Sequence, residues 1–315
     1  MTGIKVAIVG AGAMAREHIK AFNSVPDVNV VGLCSRTRSK ADTLARELSV
    51  PLVTDNIADL ARQTRADLVI IAVPELAANS VSKECFKQTW AVLLEKPAGY
   101  NLSDAEAIAD AAAGREAPVF VGLNRRFYSS VLTVVSDLET RSTEKRFIHI
   151  QDQQSFEEAR RYNHPELVVK HFMYANSIHN IDLIRVFARG EIVSVNQIMP
   201  WKGEETEVVL VYIVFDSGDT ALYEGIWKGP GPWACSVSSR SVRWNLMPLE
   251  DVTLQLAGER TRRLIERSQI DRDYKPGFVL QAQAVIDALN GKRTQAILLE
   301  ESLRTMRMIN SMFSI

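Results

Sequence analysis

The chain has 315 residues, 46% apolar and 24% charged, enough apolar material for two cores at ~150 residues per domain. Its 37 Lys+Arg balance 38 Asp+Glu for a formal net charge of -1, which removes any bulk electrostatic reason to expect a nucleic-acid or anionic-membrane partner. Cys34, Cys85 and Cys235 form no CxxC, which excludes a disulfide framework and a zinc knuckle. No apolar run approaches the ~20 residues of a membrane helix, and no cleavable signal pattern precedes Ile4, so a cytoplasmic protein with a small-molecule partner is expected.

From Ile4 to about Gly122, the apolar runs IKVAIVG, VNVVGLC, DLVIIAV, WAVLLEK and PVFVGL alternate with segments of helical apolar spacing over 13–22, 39–48, 56–63, 76–88 and 103–113. This βα repeat, with right-handed crossovers, predicts a Rossmann-type doubly wound parallel sheet over residues 1–123. After Asn124 the texture changes. A helix over 127–138 precedes strand-like runs at 146–154, 192–201, 208–215 and 221–227, the last two joined by the tight turn Asp216-Ser217-Gly218-Asp219. A meander over 233–264 completes an open, mainly antiparallel sheet with a helix over 178–187 on one face. Two helices, 278–289 and 297–312, are separated near Gly291. Residues 124–315 are read as a second α/β domain, its last helices candidates to pack back on the first.

Gly10-Ala11-Gly12-Ala13-Met14-Ala15 is a GxGxxA directly after an apolar strand and at the start of a helical pattern. Gly10 permits the tight turn, Gly12 lets a pyrophosphate approach the backbone, and Ala15 allows close helix–strand packing with phosphates at the helix N-terminus. An acid at the end of the second strand would bind the ribose hydroxyls of NAD. The chain instead reads Cys34-Ser35-Arg36-Thr37-Arg38, a hydroxyl and two guanidinium groups suited to a 2′-phosphate, so NADP(H) is favoured and NAD(H) is the alternative. Glu95-Lys96-Pro97 falls where the fifth strand reaches the carboxyl edge of the sheet, and a Lys beside a pyridinium ring can exchange a proton near neutral pH.

With Ala72-Val73-Pro74 after the fourth strand, Gly122-Leu123-Asn124-Arg125-Arg126-Phe127 and His179-Asn180-Ile181-Asp182, the chain resembles the glucose-fructose oxidoreductase, inositol dehydrogenase and MocA (Gfo/Idh/MocA) family. The resemblance implies a Rossmann domain, a second α/β domain, a substrate pocket between them, and hydride transfer on sugars, cyclitols or sugar nucleotides. It implies that Lys96 and His179 are catalytic, with the peptide before Pro97 often cis. Cofactor contacts fall on Gly10, Ala11, Gly12, Ala13, Met14, Ser35, Arg36, Arg38, Ala72, Val73, Pro74, Glu95, Lys96, Pro97, Asn124 and Arg125. Substrate contacts fall on Lys96, Arg126, Tyr174, Asn176, His179 and Trp233, and a homo-oligomer, dimer or tetramer, forms through the C-terminal sheet.

The chain departs from the family at Ala175, where members carry an Asp, and at Ala78, where many carry a His. Either Lys96 and His179 share the proton work or turnover is lost. Asp182, three residues after His179, would share its helix face and orient the imidazole. The five His and three Cys do not cluster at metal-ligand spacing. The reading is an NAD(P)-dependent dehydrogenase or reductase. The alternatives are a redox-neutral sugar-modifying enzyme with recycled NAD and a non-catalytic dinucleotide- or sugar-sensing regulator.

Overall fold

Six apolar segments, β1 (Ile4–Val9), β2 (Val28–Cys34), β3 (Val53–Thr54), β4 (Leu68–Ile71), β5 (Ala91–Glu95) and β6 (Val119–Gly122), pair in parallel in the order β3-β2-β1-β4-β5-β6. Val6, Ala7 and Ile8 of β1 and all of β4 are fully buried, as a sheet covered by helices on both faces requires. The strand order reverses between β1 and β4, which places a ligand crevice at the carboxyl ends of those strands. The two-residue β3 is too short to leave a periodic signal and was not among the expected runs.

The computed structural model describes residues 3–315. They form two compact units, one of residues up to Asn124 with Asp273–Arg304, the other of Arg125–Arg272 with Thr305–Ile315. Helix Phe278–Leu289 lies in the first, and the last helix, Leu299–Phe313, contributes to both.

The second unit is built on eight strands: β7 (Phe147–Gln153), β8 (Ile192–Met199), β9 (Val208–Phe215), β10 (Thr220–Ile226), β11 (Ala234–Ser238), β12 (Val242–Leu246), β13 (Val252–Leu256) and β14 (Arg263–Ile265). Their order is β14-β13-β12-β11-β7-β10-β9-β8, and only β7 and β10 run parallel. The expected hairpin joins β9 to β10, with Gly218 at φ +82° in its turn. Burial alternates along both strands, so Val209, Val211, Ile213, Ala221 and Tyr223 face the core. Helix Ile178–Phe187 packs on β7 and β11, and Phe156, Trp201, Trp227 and Phe313 form an aromatic cluster.

Two short helices, Phe156–Arg161 and Glu166–Lys170, follow β7. Neither is long enough to display helical periodicity; the first is set by Ser155, whose hydroxyl accepts the Glu158 N–H at 3.2 Å. Among the described residues no helix is long and apolar enough to cross a membrane.

Candidate functional site

Gly10 stands at φ +122°, and a Cβ there would meet the Ala72 carbonyl oxygen at 2.0 Å, so only glycine lets β1 turn against the end of β4. Gly12 is different: its Cβ position is open space, and it opens helix Ala13–Asn23 without a capping side chain or an acid in the first turn. Gly12 and Ala13 are exposed, and Ala11 and Met14 partly so. The first-turn N–H groups and the positive end of the helix dipole are thereby left for an anion, which fits a dinucleotide pyrophosphate.

At the end of β2 the two arginines are not equivalent. Arg38 is exposed and paired with Asp42 at 3.0 Å along its own helix. Arg36 is exposed and makes no ion pair among the described residues. The Ser35 hydroxyl accepts the Thr37 N–H at 3.2 Å, which shapes the turn. Across the sheet, Ala72 is held by its N–H to the Val9 carbonyl at 2.8 Å. Val73 is partly exposed, and Pro74 starts helix Glu75–Phe86.

β5 ends at Glu95, 8% exposed. Its Oε1 lies 2.6 Å from His18 Nε2, and its Oε2 accepts the Lys96 N–H at 3.2 Å. The His18 ring lies against Phe22 and Phe278, with centroids 6.2 and 4.8 Å away. The side chain of Glu95, expected among the cofactor contacts, is a buried support that ties the first helix to the Lys96 turn. His18 escaped the sequence reading, although it lies on the buried stripe Ala15, His18, Ile19, Phe22, and an imidazole on an apolar face needs a polar partner. Lys96 is partly exposed and the Lys96–Pro97 peptide is cis. The Asn124 amide donates to the Pro276 carbonyl at 3.0 Å.

In the second unit, Met173–Ser177 is a π-helical turn that runs into helix Ile178–Phe187, a distortion common at functional sites. Asn176 and His179 are partly exposed, whereas Ala175 is buried and Tyr174 is 1% exposed. Tyr174, expected at the substrate, is buried, its hydroxyl 3.4 Å from Asn310 Oδ1.

A correction concerns Asp182. Rather than orienting His179, its carboxylate takes the Arg126 guanidinium through two hydrogen bonds of 2.6 and 2.7 Å and the Thr305 hydroxyl at 2.7 Å. The planar fork matches both carboxylate oxygens, a stronger arrangement than a single contact to an imidazole three residues back. Arg126, expected at the substrate, makes this two-pronged pair.

A carboxylate missed from sequence lies on β7. Asp152, 1% exposed, accepts the Tyr223 hydroxyl at 2.8 Å, Asn180 Nδ2 at 2.7 Å and Gln154 Nε2 at 2.8 Å. Gln154 Oε1 accepts Asn176 Nδ2 at 2.8 Å. Burial pushes the Asp152 carboxyl pKa up against the pull of these hydrogen bonds, and burial beside Asp152 pushes the Tyr223 hydroxyl well up. The signal was in the strand: Ile148, Ile150 and Asp152 share the inward face of β7.

Arg125 joins the same network. Its Nη1 donates to Asn180 Oδ1 at 3.1 Å, and its guanidinium lies 4.2 Å over the Trp233 ring, whose Nε1 donates to the Gln153 carbonyl at 2.6 Å. Desolvation lowers the Arg125 pKa from its ordinary value. Of the sequence-predicted residues, the structure brings Arg125, Asn176 and Trp233 into one network. Gly10 to Met14, Ser35, Arg36, Ala72 and Lys96 belong to the first unit and His179 to the second. Among the described residues no group of three or more His, Cys, Asp or Glu side chains is placed to hold a metal.

Residues 4–123 match the family described as "Oxidoreductase family, NAD-binding Rossmann fold". The chain is 24% identical over 242 residues to scyllo-inositol 2-dehydrogenase (NAD(+)) of Bacillus subtilis (strain 168), covering 72% of this chain and 68% of that protein. It is 30% identical over 127 residues to inositol 2-dehydrogenase of Rubrobacter xylanophilus, covering 39% and 36%. The chain spans about two fifths of the length of most curated relatives it matches. The crystal structure of a dehydrogenase from Chromobacterium violaceum superposes with a TM-score of 0.82 at 21% identity, covering 98% of this chain and 94% of that one, and so shares its fold. With the glycine turn and the Glu95-Lys96-Pro97 corner, residues 4–123 match the Gfo/Idh/MocA oxidoreductase family model, and the chain is similar to inositol dehydrogenases.

Proposed function

We propose that the protein is an NAD(P)-dependent oxidoreductase acting on a secondary alcohol or ketone of a sugar, cyclitol or sugar-nucleotide-type substrate. The observation that carries this reading is the uncapped helix N-terminus behind Gly10 and Gly12, in a domain that matches an NAD-binding oxidoreductase family. The inositol dehydrogenases among the relatives support a polyol substrate. The dinucleotide, when bound, supplies the hydride acceptor or donor at nicotinamide C4. The backbone from Gly10 to Met14 holds its pyrophosphate, and the exposed Arg36, with Ser35, favours NADP(H) over NAD(H). Lys96 and His179 hold and move the proton of the reacting hydroxyl, because the buried Ala175 leaves that turn without a carboxylate. The C-terminal sheet supplies the face of a homo-oligomer, a dimer or a tetramer.

The test is a paired titration with NADPH and NADH, followed by thermal shift and nicotinamide fluorescence, then a screen of polyols and sugar nucleotides for a change in reduced-nicotinamide absorbance. Tighter NADPH binding with turnover is expected; tighter NADH binding overturns the role of Arg36, and absence of any dinucleotide binding overturns the whole reading. Ala175 favours one second reading, a non-catalytic sensor, for which binding without turnover in both wild type and Lys96→Ala is the signature.

A further inference from the structure

We infer that Arg125 is an anion receptor and that the substrate carries a carboxylate or phosphate group, an inference resting on the polyol-oxidoreductase reading above. Two adjacent arginines have opposite fates. Arg126 is neutralised by Asp182 through a two-pronged pair. Arg125 makes no ion pair among the described residues; its polar partners are the Asn180 amide oxygen at 3.1 Å and the Tyr128 hydroxyl.

The side chain is nevertheless held in place. Asn180 Nδ2 is committed to Asp152, so its oxygen is fixed toward Arg125. The guanidinium plane rests on Trp233 at 4.2 Å, and Trp233 is pinned through the Gln153 carbonyl. Glu250 and Asp152 act on Arg125 only at longer range, and the charge of Asp152 is itself disfavoured by burial. The result is a partly exposed, pre-oriented cation whose remaining N–H groups have no protein acceptor among the described residues. Neutral hydroxyls need no such device. A planar fork stacked on an indole and lacking a carboxylate suits two oxygens of an oxyanion.

The experiment is calorimetric titration of the full chain at low ionic strength with glucuronate, glucose 6-phosphate and glucose, each without dinucleotide and with saturating NADPH. At least one anionic probe should bind about tenfold tighter than glucose, the scale of a charge-assisted hydrogen bond. That preference should vanish in Arg125→Gln and shrink with added salt. Glucuronate ahead of glucose 6-phosphate assigns a carboxylate, and the reverse order a phosphate. If Arg125→Gln does not fold, Arg125→Lys replaces it, with the preference reduced because the fork and the stacking are lost. No preference among the three probes in the wild type, whether all bind or none does, overturns the inference, as does an undiminished preference in the variant used. NADPH binding is read separately: its presence without an anion preference sinks the receptor alone. Its absence alongside an Arg125-dependent preference sinks the oxidoreductase reading alone.

Discussion

The His18 imidazole and the Glu95 carboxylate meet at 2.6 Å inside the first unit, joining helix Ala13–Asn23 to the end of β5. Because Glu95 also accepts the Lys96 N–H, Glu95→Ala strands two donors. The expected cost is about 1–3 kcal/mol for each group left unsatisfied, read as a lower melting temperature. Glu95→Gln keeps an acceptor and should lose less. A Glu95→Ala protein with the wild-type melting temperature would contradict the support role.

The Arg126–Asp182 pair should be a stability element of the second unit. Asp182 is buried and Arg126 nearly so, so Asp182→Ala leaves an uncompensated guanidinium and should destabilise by about 3–5 kcal/mol. Urea unfolding of the intact chain, followed by tryptophan fluorescence, measures this. A loss under 1 kcal/mol, the scale of an exposed pair, would show that water already screens it.

If Lys96 handles the proton of the reacting hydroxyl, Lys96→Ala should lower kcat by about 100-fold or more. NADPH affinity should stay within a few-fold of wild type, because the proposed pyrophosphate contacts are backbone from Gly10 to Met14. His179→Ala should follow the same pattern. Equal losses in dinucleotide affinity and turnover would instead make Lys96 a binding residue.

Asp152 gives a pH dependence of definite sign. Its folded pKa is raised by burial above the ordinary carboxyl value of 3.8, so between the two values the native state binds more protons than the unfolded chain. Its contribution to stability is therefore greatest below the ordinary value and is lost as pH rises through the raised one. Relative to Asp152→Asn, the wild type should lose about 1.4 kcal/mol between those limits for each unit by which the pKa is raised. Thermal melts of both proteins from acid to neutral pH measure the difference; a wild type that gains stability relative to Asp152→Asn toward neutral pH would reverse the assignment.

The βα repeat, the glycine turn and the β9–β10 hairpin were legible because each is a local pattern: an apolar run, a helical period or a turn residue at a fixed offset. Residues whose roles depend on remote partners were not. Tyr174 is buried, which its sequence neighbours do not reveal, and Asp182, read as a partner for His179, pairs with Arg126. Spacing along one helix says which side chains share a face, but not which remote group competes for them.

By itself, the sequence determined the two architectures, the glycine turn and the resemblance of residues 4–123 to a family, since backbone conformation and apolar periodicity are written in neighbouring residues. Only the tertiary structure decided which charges are spent. Asp152 reaches Tyr223 71 positions away, Arg126 reaches Asp182 56 positions away, and Arg125, on the face of Trp233, makes no ion pair among the described residues. Pairing of buried polar groups is settled by the folded arrangement of distant segments, because each desolvated donor or charge must find its partner among whatever the packing brings within about 3 Å.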